Sequence, residues 1–234
     1  MRLATWNVNS LAVRLPQVLD WLAANPVDVL ALQELKLTDD KFPFEALRQA
    51  GYSAQCFGQK TYNGVALLSR TEATDVVRNI PGFDDDMARV ISGTVDGIRV
   101  VGAYMPNGQA PGSDKFEYKM EWLGALRRWI KDSLLAHPNL VLMGDFNCDL
   151  LAPEMSRLFQ FTSLAPPPIS LPTFPSWAAK RPIDHILVGG MNSSQYQTHI
   201  AAGSDHLAIA LDLELPSVNP ESSPWPKPPA PDAQ

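Results

Sequence analysis

LVLMGDFNCDL, residues 140–150, starts as an apolar strand and then sets Asp145, Phe146 and Asn147 where further core residues would be expected. In an extended chain alternate side chains share a face, so Asp145 and Asn147 point one way while Phe146 turns toward the packing. Two polar groups at the end of a buried strand make a candidate site. Gly-Asp and Asn-x-Asp also begin turns, so this stretch alone leaves both readings open.

Outward from this strand, short apolar runs alternate with amphipathic ones. LATWNV and VDVLALQE read as strands, and LPQVLDWLAA between them places apolar residues at helical spacing, a βαβ-like opening. GVALLSR, ARVISGTV and IRVVGAYM continue the strand series, and Asp96-Gly97 between the last two is the strongest hairpin signal in the chain. The sheet structure is therefore mixed. From Asp114 to His137 the chain lacks Pro, begins with a capping-type Asp and stops at Pro138, which predicts the longest helix. Residues 150–182 are Pro-rich and read as loop, with EMSRLFQ offering a helical turn or two. PIDHILVG and HLAIALDLEL return to strand, and residues 216–234 form a Pro-rich tail expected to be disordered.

Composition narrows the function classes. The chain has 234 residues, 45% hydrophobic and 19% charged, which suits a globular protein with a real core. No run approaches the roughly 18 apolar residues that span a bilayer. MRLATWNVNS does not read as a secretory leader, so the expected location is cytoplasmic and no membrane partner is expected. Cys56 and Cys148 read as reduced thiols, since neither spacing nor compartment suggests a disulfide framework or zinc site. The net charge of -6 argues against coating nucleic acid by bulk electrostatics. It is compatible with acids gathered around a cation.

Polar residues recur where strands end: Asn7 and Asn9, Gln33 and Glu34, Tyr104 and Asn107, Asp145 and Asn147, Asp184 and His185, Asp205 and His206. Singly each is a turn former, a cap or a rim residue; together they can meet at one edge of packed sheets. Glu34, Asp145 and Asp205, with the amide oxygens of Asn7 and Asn147, are hard oxygen ligands suited to Mg2+ or Mn2+. Such a set supports phosphoester hydrolysis, with Asp145 to orient or deprotonate water and His206, oriented by Asp184, to face the developing charge.

These residues lie in TWNVNS (5–10), LALQELK (30–36), GQKTYNGVALLSR (58–70), YMPNG (104–108), KFEYK (115–119), GDFN (144–147), IDHIL (183–187) and SDH (204–206). In that order the series resembles the endonuclease/exonuclease/phosphatase superfamily, and within it the exonuclease III type of DNA-repair nuclease. The resemblance implies an α/β fold, a two-sheet mixed β-sandwich flanked by helices in four layers (α/β/β/α), with one metal-dependent phosphoesterase domain over residues 1–215. It also implies that Glu34 is the principal metal ligand with Asn7 and Asp205 near the ion. Asp145 would activate water with Asn147 as its companion, Asp184 would orient His206, and Tyr104 would contact the phosphate or leaving group. Lys60, Asn63, Lys115 and Lys119 match segments that lie beside the DNA backbone, although solvated surface residues account for them equally.

The resemblance weakens after Asn147. A Pro-rich segment, 148–182, is shorter than the family's recognition region, and Phe174 and Trp177 either stack on a base or deoxyribose or pack at the rim. The expectation is a monomeric Mg2+-dependent DNA phosphodiesterase, cutting at abasic sites and trimming 3′ ends, with altered recognition. The alternatives are a phosphatase or non-specific nuclease acting on another phosphoester, and a non-catalytic DNA-binding relative.

Overall fold

A computed structural model describes residues 1–199 and 203–214, so the expected tail lies outside the described residues. Strand β1 (Arg2–Asn7), helix α1 (Leu11–Ala24) and strand β2 (Val29–Gln33) form the opening unit, with β1 and β2 parallel. After α2 (Phe44–Gln49) come β3 (Ser53–Phe57), β4 (Val65–Ser69), β5 (Thr74–Arg78), β6 (Val90–Val95) and β7 (Ile98–Tyr104). Helix α3 (Asp114–Ala136) leads to β8 (Leu140–Asp145), and α4 (Ser156–Phe161), β9 (Asp184–Gly189), β10 (Asn192–His199) and β11 (Ala208–Glu214) follow among the described residues.

The strands form two sheets, ordered β10-β11-β1-β2-β4-β3 and β5-β6-β7-β8-β9. Period-two alternation builds the layers. Along β1 and β2, Leu3, Val29 and Ala31 face the second sheet and meet Val100, Val141, Met143 and Ile186. Their neighbours Ala4, Trp6, Leu30 and Leu32 turn outward onto Val18, Trp21 and Leu22 of α1. On the far side Val101, Ala103, Leu140 and Leu142 receive Trp122, Leu126 and Ile130 from α3. The layers are helix, sheet, sheet, helix.

The Asp96-Gly97 turn joins β6 to β7, with φ values of 48° and 80° that suit a two-residue hairpin. Helix α3 corrects one expectation: its N-cap is Ser113, whose hydroxyl accepts from the Phe116 N–H at 3.2 Å, and Asp114 is the first helical residue. The edge strand β10, NSSQYQTH, is mostly polar and carries a register shift between Ser194 and Gln197, so apolar periodicity does not reveal it. Among the described residues no helix is long and apolar enough to cross a membrane.

Candidate active site

Register places the polar strand ends side by side. In the second sheet Tyr104 pairs with Asp145 across a parallel ladder, and Asp145 pairs with Asp184 across the next, antiparallel one. In the first sheet Asn7 ends β1 level with Gln33, and Glu34 follows at once. Both rows lie at the same end of the sandwich and meet through side chains. Asn7 Nδ2 donates to Glu34 Oε1 at 2.8 Å and to Asp145 Oδ2 at 2.9 Å, and the Tyr104 hydroxyl donates to Glu34 Oε1 at 3.0 Å.

Close backbone approach is what allows the second row. Gly144 has φ 151°, and a Cβ there would stand 1.8 Å from the Ala103 carbonyl oxygen. Two residues further, Phe146 is buried in the α3 core. Asp145 Oδ1 accepts from the Asn147 N–H at 2.8 Å, and Asn147 has φ 55°. The turn and the polar site are thus one structure: Asp145 closes the turn with one oxygen and faces Asn7 with the other.

His206 stands opposite. Its Nδ1 lies 2.8 Å from Asp184 Oδ2, and its Nε2 lies 3.8 Å from Asp145 Oδ2. Thr173, fully buried, donates its hydroxyl to Asp184 Oδ2 at 2.6 Å. Ser204 ties the same loop to β1 by donating to the Asn7 carbonyl at 2.6 Å. Phe174 packs against the imidazole with ring centroids 5.0 Å apart.

Burial and charge set the protonation states. Burial, reinforced by the neighbouring Asp184, pushes the Asp145 carboxyl up to about 7. For His206 burial favours the neutral ring, but the carboxylates of Asp184 and Asp145 outweigh it and raise the imidazole to about 10. Burial also works against ionised Glu34, yet hydrogen bonds from Asn7 and Lys36 hold its carboxyl below the usual range. Tyr104 is kept protonated by burial and by the adjacent Glu34.

The donor set fits a hard divalent cation. Glu34 joins Asp145 through a single neutral amide, so two carboxylates flank it, while Asp184 and His206, whose ligating atoms lie within 4.8 Å of those of Asp145, are engaged with each other. Asp184 Oδ1 is buried with no hydrogen-bond partner among the described residues. One expected ligand atom changes, since Asn7 Oδ1 accepts from the Asn9 N–H at 3.0 Å and the amide nitrogen, not the oxygen, faces the carboxylates. Asp205 stands at one remove: Asn9 donates to it at 3.0 Å and receives Lys36 Nζ at 2.6 Å.

The expected DNA contacts divide. Lys60 and Lys115 are exposed. Lys119 is only 2% exposed and pairs with Glu154 at 3.4 Å, because it shares a face of α3 with the buried Trp122, Leu123 and Leu126. Asn63 is buried and donates to Gln59 at 2.9 Å, so it holds its own loop. Phe174 is half-buried with its ring against His206, whereas Trp177 is 77% exposed. Trp177 rides on a turn pinned to the His206 loop by the Ser176 N–H, which donates to the Asp205 carbonyl at 2.7 Å. Beside the site a cleft of about 440 Å3 is lined by Asn107, Asn147, Lys119, Glu154, Lys180 and Arg181.

Sequence reading missed Thr173, Ser204, Lys36 and Arg89. Arg89 lies over the Tyr104 ring at 5.1 Å and donates to the Tyr104 carbonyl at 3.2 Å. Lys36 lay within the LALQELK string, and Ser204 within SDH, so both were in view without an assigned partner.

An exodeoxyribonuclease III from Haemophilus influenzae is 29% identical over 153 residues, covering 63% of this chain and 57% of that protein. The DNA repair nuclease APEX1 of Danio rerio is 30% identical over 168 residues, covering 67% of this chain and 54% of its own length. The chain thus spans a little over half the length of these curated relatives. Solved structures of one Neisseria protein, NExo, match more fully. As a 3′ phosphatase bound to a product DNA hairpin it is 36% identical with TM-score 0.83, and 92% of this chain covers 100% of that one. As a 3′-5′ exonuclease from Neisseria meningitidis it is 35% identical with TM-score 0.84 and the same coverage. The profile of the endonuclease/exonuclease/phosphatase family matches residues 4–206, and with its strand-end site in place the chain belongs to that family.

Proposed function

We propose that the chain is a Mg2+-dependent phosphoesterase that works on DNA 3′ ends, removing a terminal phosphate or nucleotide as an exonuclease III-type enzyme. The observation that carries the reading is the row Asp184–His206–Asp145 facing Glu34 across Asn7. The likeness to NExo, 36% identical over its whole chain, supports work at 3′ ends; an AP endonuclease from Archaeoglobus fulgidus is covered as fully but is only 25% identical, which places internal lesions second.

Glu34 and Asp145 would hold Mg2+, or Mn2+ in its place, with Asp205 and Asn147 at its margin. When bound, the ion supplies positive charge that polarises a phosphoryl oxygen. Asp184 fixes the imidazole so that His206 Nε2 carries a proton toward a phosphoryl oxygen, and the raised imidazole keeps that proton at neutral pH. Asp145, which faces Asn7 with Oδ2, accepts a proton from attacking water as the new bond to phosphorus forms and the bond from phosphorus to the 3′ oxygen breaks, that oxygen leaving as a hydroxyl with a proton from solvent. Tyr104 stays protonated and holds Glu34 in place.

A second reading, incision at an abasic site, draws on Trp177, an exposed aromatic carried on the turn beside His206. The two separate on three duplexes incubated with Mg2+: one with a 3′-phosphate at a nick, one with an internal abasic site and one with a recessed 3′-hydroxyl. Phosphate release and 3′ trimming, both abolished by a chelator, are expected without preferential abasic incision. Abasic incision outpacing the other two would reverse the order of the readings, and inertness toward all three would overturn both.

A further inference from the structure

Glu34 and Lys36 both have φ 55°, a conformation that costs a residue with a side chain and persists only where neighbours impose it. Here they do. The Ser10 N–H donates to the Glu34 carbonyl, the Leu11 N–H to the Leu35 carbonyl, and the Lys36 N–H to the Asn63 carbonyl, so the segment is tied on both sides. The paired turns fold the Lys36 side chain back over its neighbour. Its Nζ lies 2.8 Å from Glu34 Oε2 and 2.6 Å from Asn9 Oδ1.

The two oxygens of Glu34 are therefore unequal. Oε1 accepts from Asn7 Nδ2 and from the Tyr104 hydroxyl, which are neutral donors. Oε2 is held by an ammonium, which is itself a cation. A divalent ion reaching Glu34 meets a like charge on the oxygen that has no other hydrogen-bond donor among the described residues, and binding becomes an exchange of one cation for another. The ammonium has somewhere to go: its side chain is 29% exposed, and Asn9 Oδ1 remains within reach, with Asn9 Nδ2 already on Asp205.

Resting on the metal reading of the site, we infer that Lys36 is an internal counter-cation that competes with the divalent ion for Glu34 and sets how tightly that ion is held. An ordinary half-exposed ion pair would contribute little and would leave ion affinity unchanged. The competing charge also protects the carboxylate cluster when no ion is present, since Glu34 and Asp145 share only the Asn7 amide between them.

The test is Mn2+ binding to the full chain without DNA, read from the loss of the free-ion EPR signal. Lys36→Met is expected to tighten Mn2+ by about tenfold or more, as befits removal of a unit charge a few ångströms from a divalent ion. Lys36→Arg should stay close to the parent. Ion-free thermal melts show whether the loop has survived, and Lys36→Gln, which keeps a donor for Asn9, carries the same expectation if the Met variant melts early. Equal or weaker Mn2+ binding in a folded Lys36→Met or Lys36→Gln protein overturns the inference and leaves the metal reading standing. Absence of Mn2+ binding in the parent and the variants alike overturns both.

Discussion

The polar end of the sandwich and the segment 148–182 that follows it obey different rules. At the sandwich end Asn7, Asp145, Asp184 and His206 are buried, each fixed by strand register or by a neighbour's hydrogen bond. In the segment after it Leu151, Phe161, Ile169 and Trp177 stand exposed, with only short helical turns between prolines. Ladders fix a side chain to within a fraction of an ångström, whereas loops change length at little thermodynamic cost. Chemistry is thus carried by the part of the chain that tolerates least change, and recognition by the part that tolerates most.

That division is open to attack in four ways. The largest effect is expected from Asp145→Asn and His206→Asn, each lowering kcat by about 3–4 kcal/mol of transition-state stabilisation with the fold retained. Single-turnover rates and circular dichroism check both; near-parent turnover removes the residue from its role. Thr173→Val crosses the boundary, since it lies in the Pro-rich segment yet bonds Asp184 at 2.6 Å. Leaving that buried oxygen one donor short should cost about 1–3 kcal/mol in kcat with KM little changed. An altered KM alone would place Thr173 with recognition.

Trp177→Ala is expected to do the reverse, raising KM for DNA by about 1 kcal/mol with kcat and Tm unchanged. A fall in kcat would bring Trp177 into the chemistry. The smallest effect concerns pH. The folded Asp145 carboxyl is raised to about 7, above the ~4 of an unfolded carboxyl, so its contribution to stability is complete below ~4 and lost as pH rises through about 7. Ion-free Asp145→Asn escapes that loss, and its Tm should gain a few degrees on the parent between pH 5 and pH 8. A shift of the opposite sign in melts at the two pH values would show the carboxylate stabilised as an anion.

Much of this was legible in the sequence. The βαβ opening, the Asp96-Gly97 hairpin and α3 follow from periodicity and turn chemistry. The strand-end acids were visible because a carboxylate is conspicuous after an apolar run. What stayed hidden depends on distant partners. Thr173 is an ordinary loop residue until Asp184 is placed beside it, and β10 is polar because it is an edge strand with a register shift. Lys119 is different, since its position three and four residues before Trp122 and Leu123 put it on the apolar stripe of α3 and signalled burial. Motif matching drew it to the surface against that pattern.

Strand β1 sits between β2, which follows it closely, and β11, paired with it through Arg2↔Asp212 and Thr5↔Ile209. The Trp6 indole donates to the His206 carbonyl at 3.2 Å, so the first strand also ties down the loop that leads into the last strand of the described chain. Pairings this far apart in sequence form late and slowly. Enzymatic competence regained during renaturation should therefore lag behind helix formation, and a ribosome-held chain still lacking β11 would possess most of its hydrophobic interior but no working catalyst.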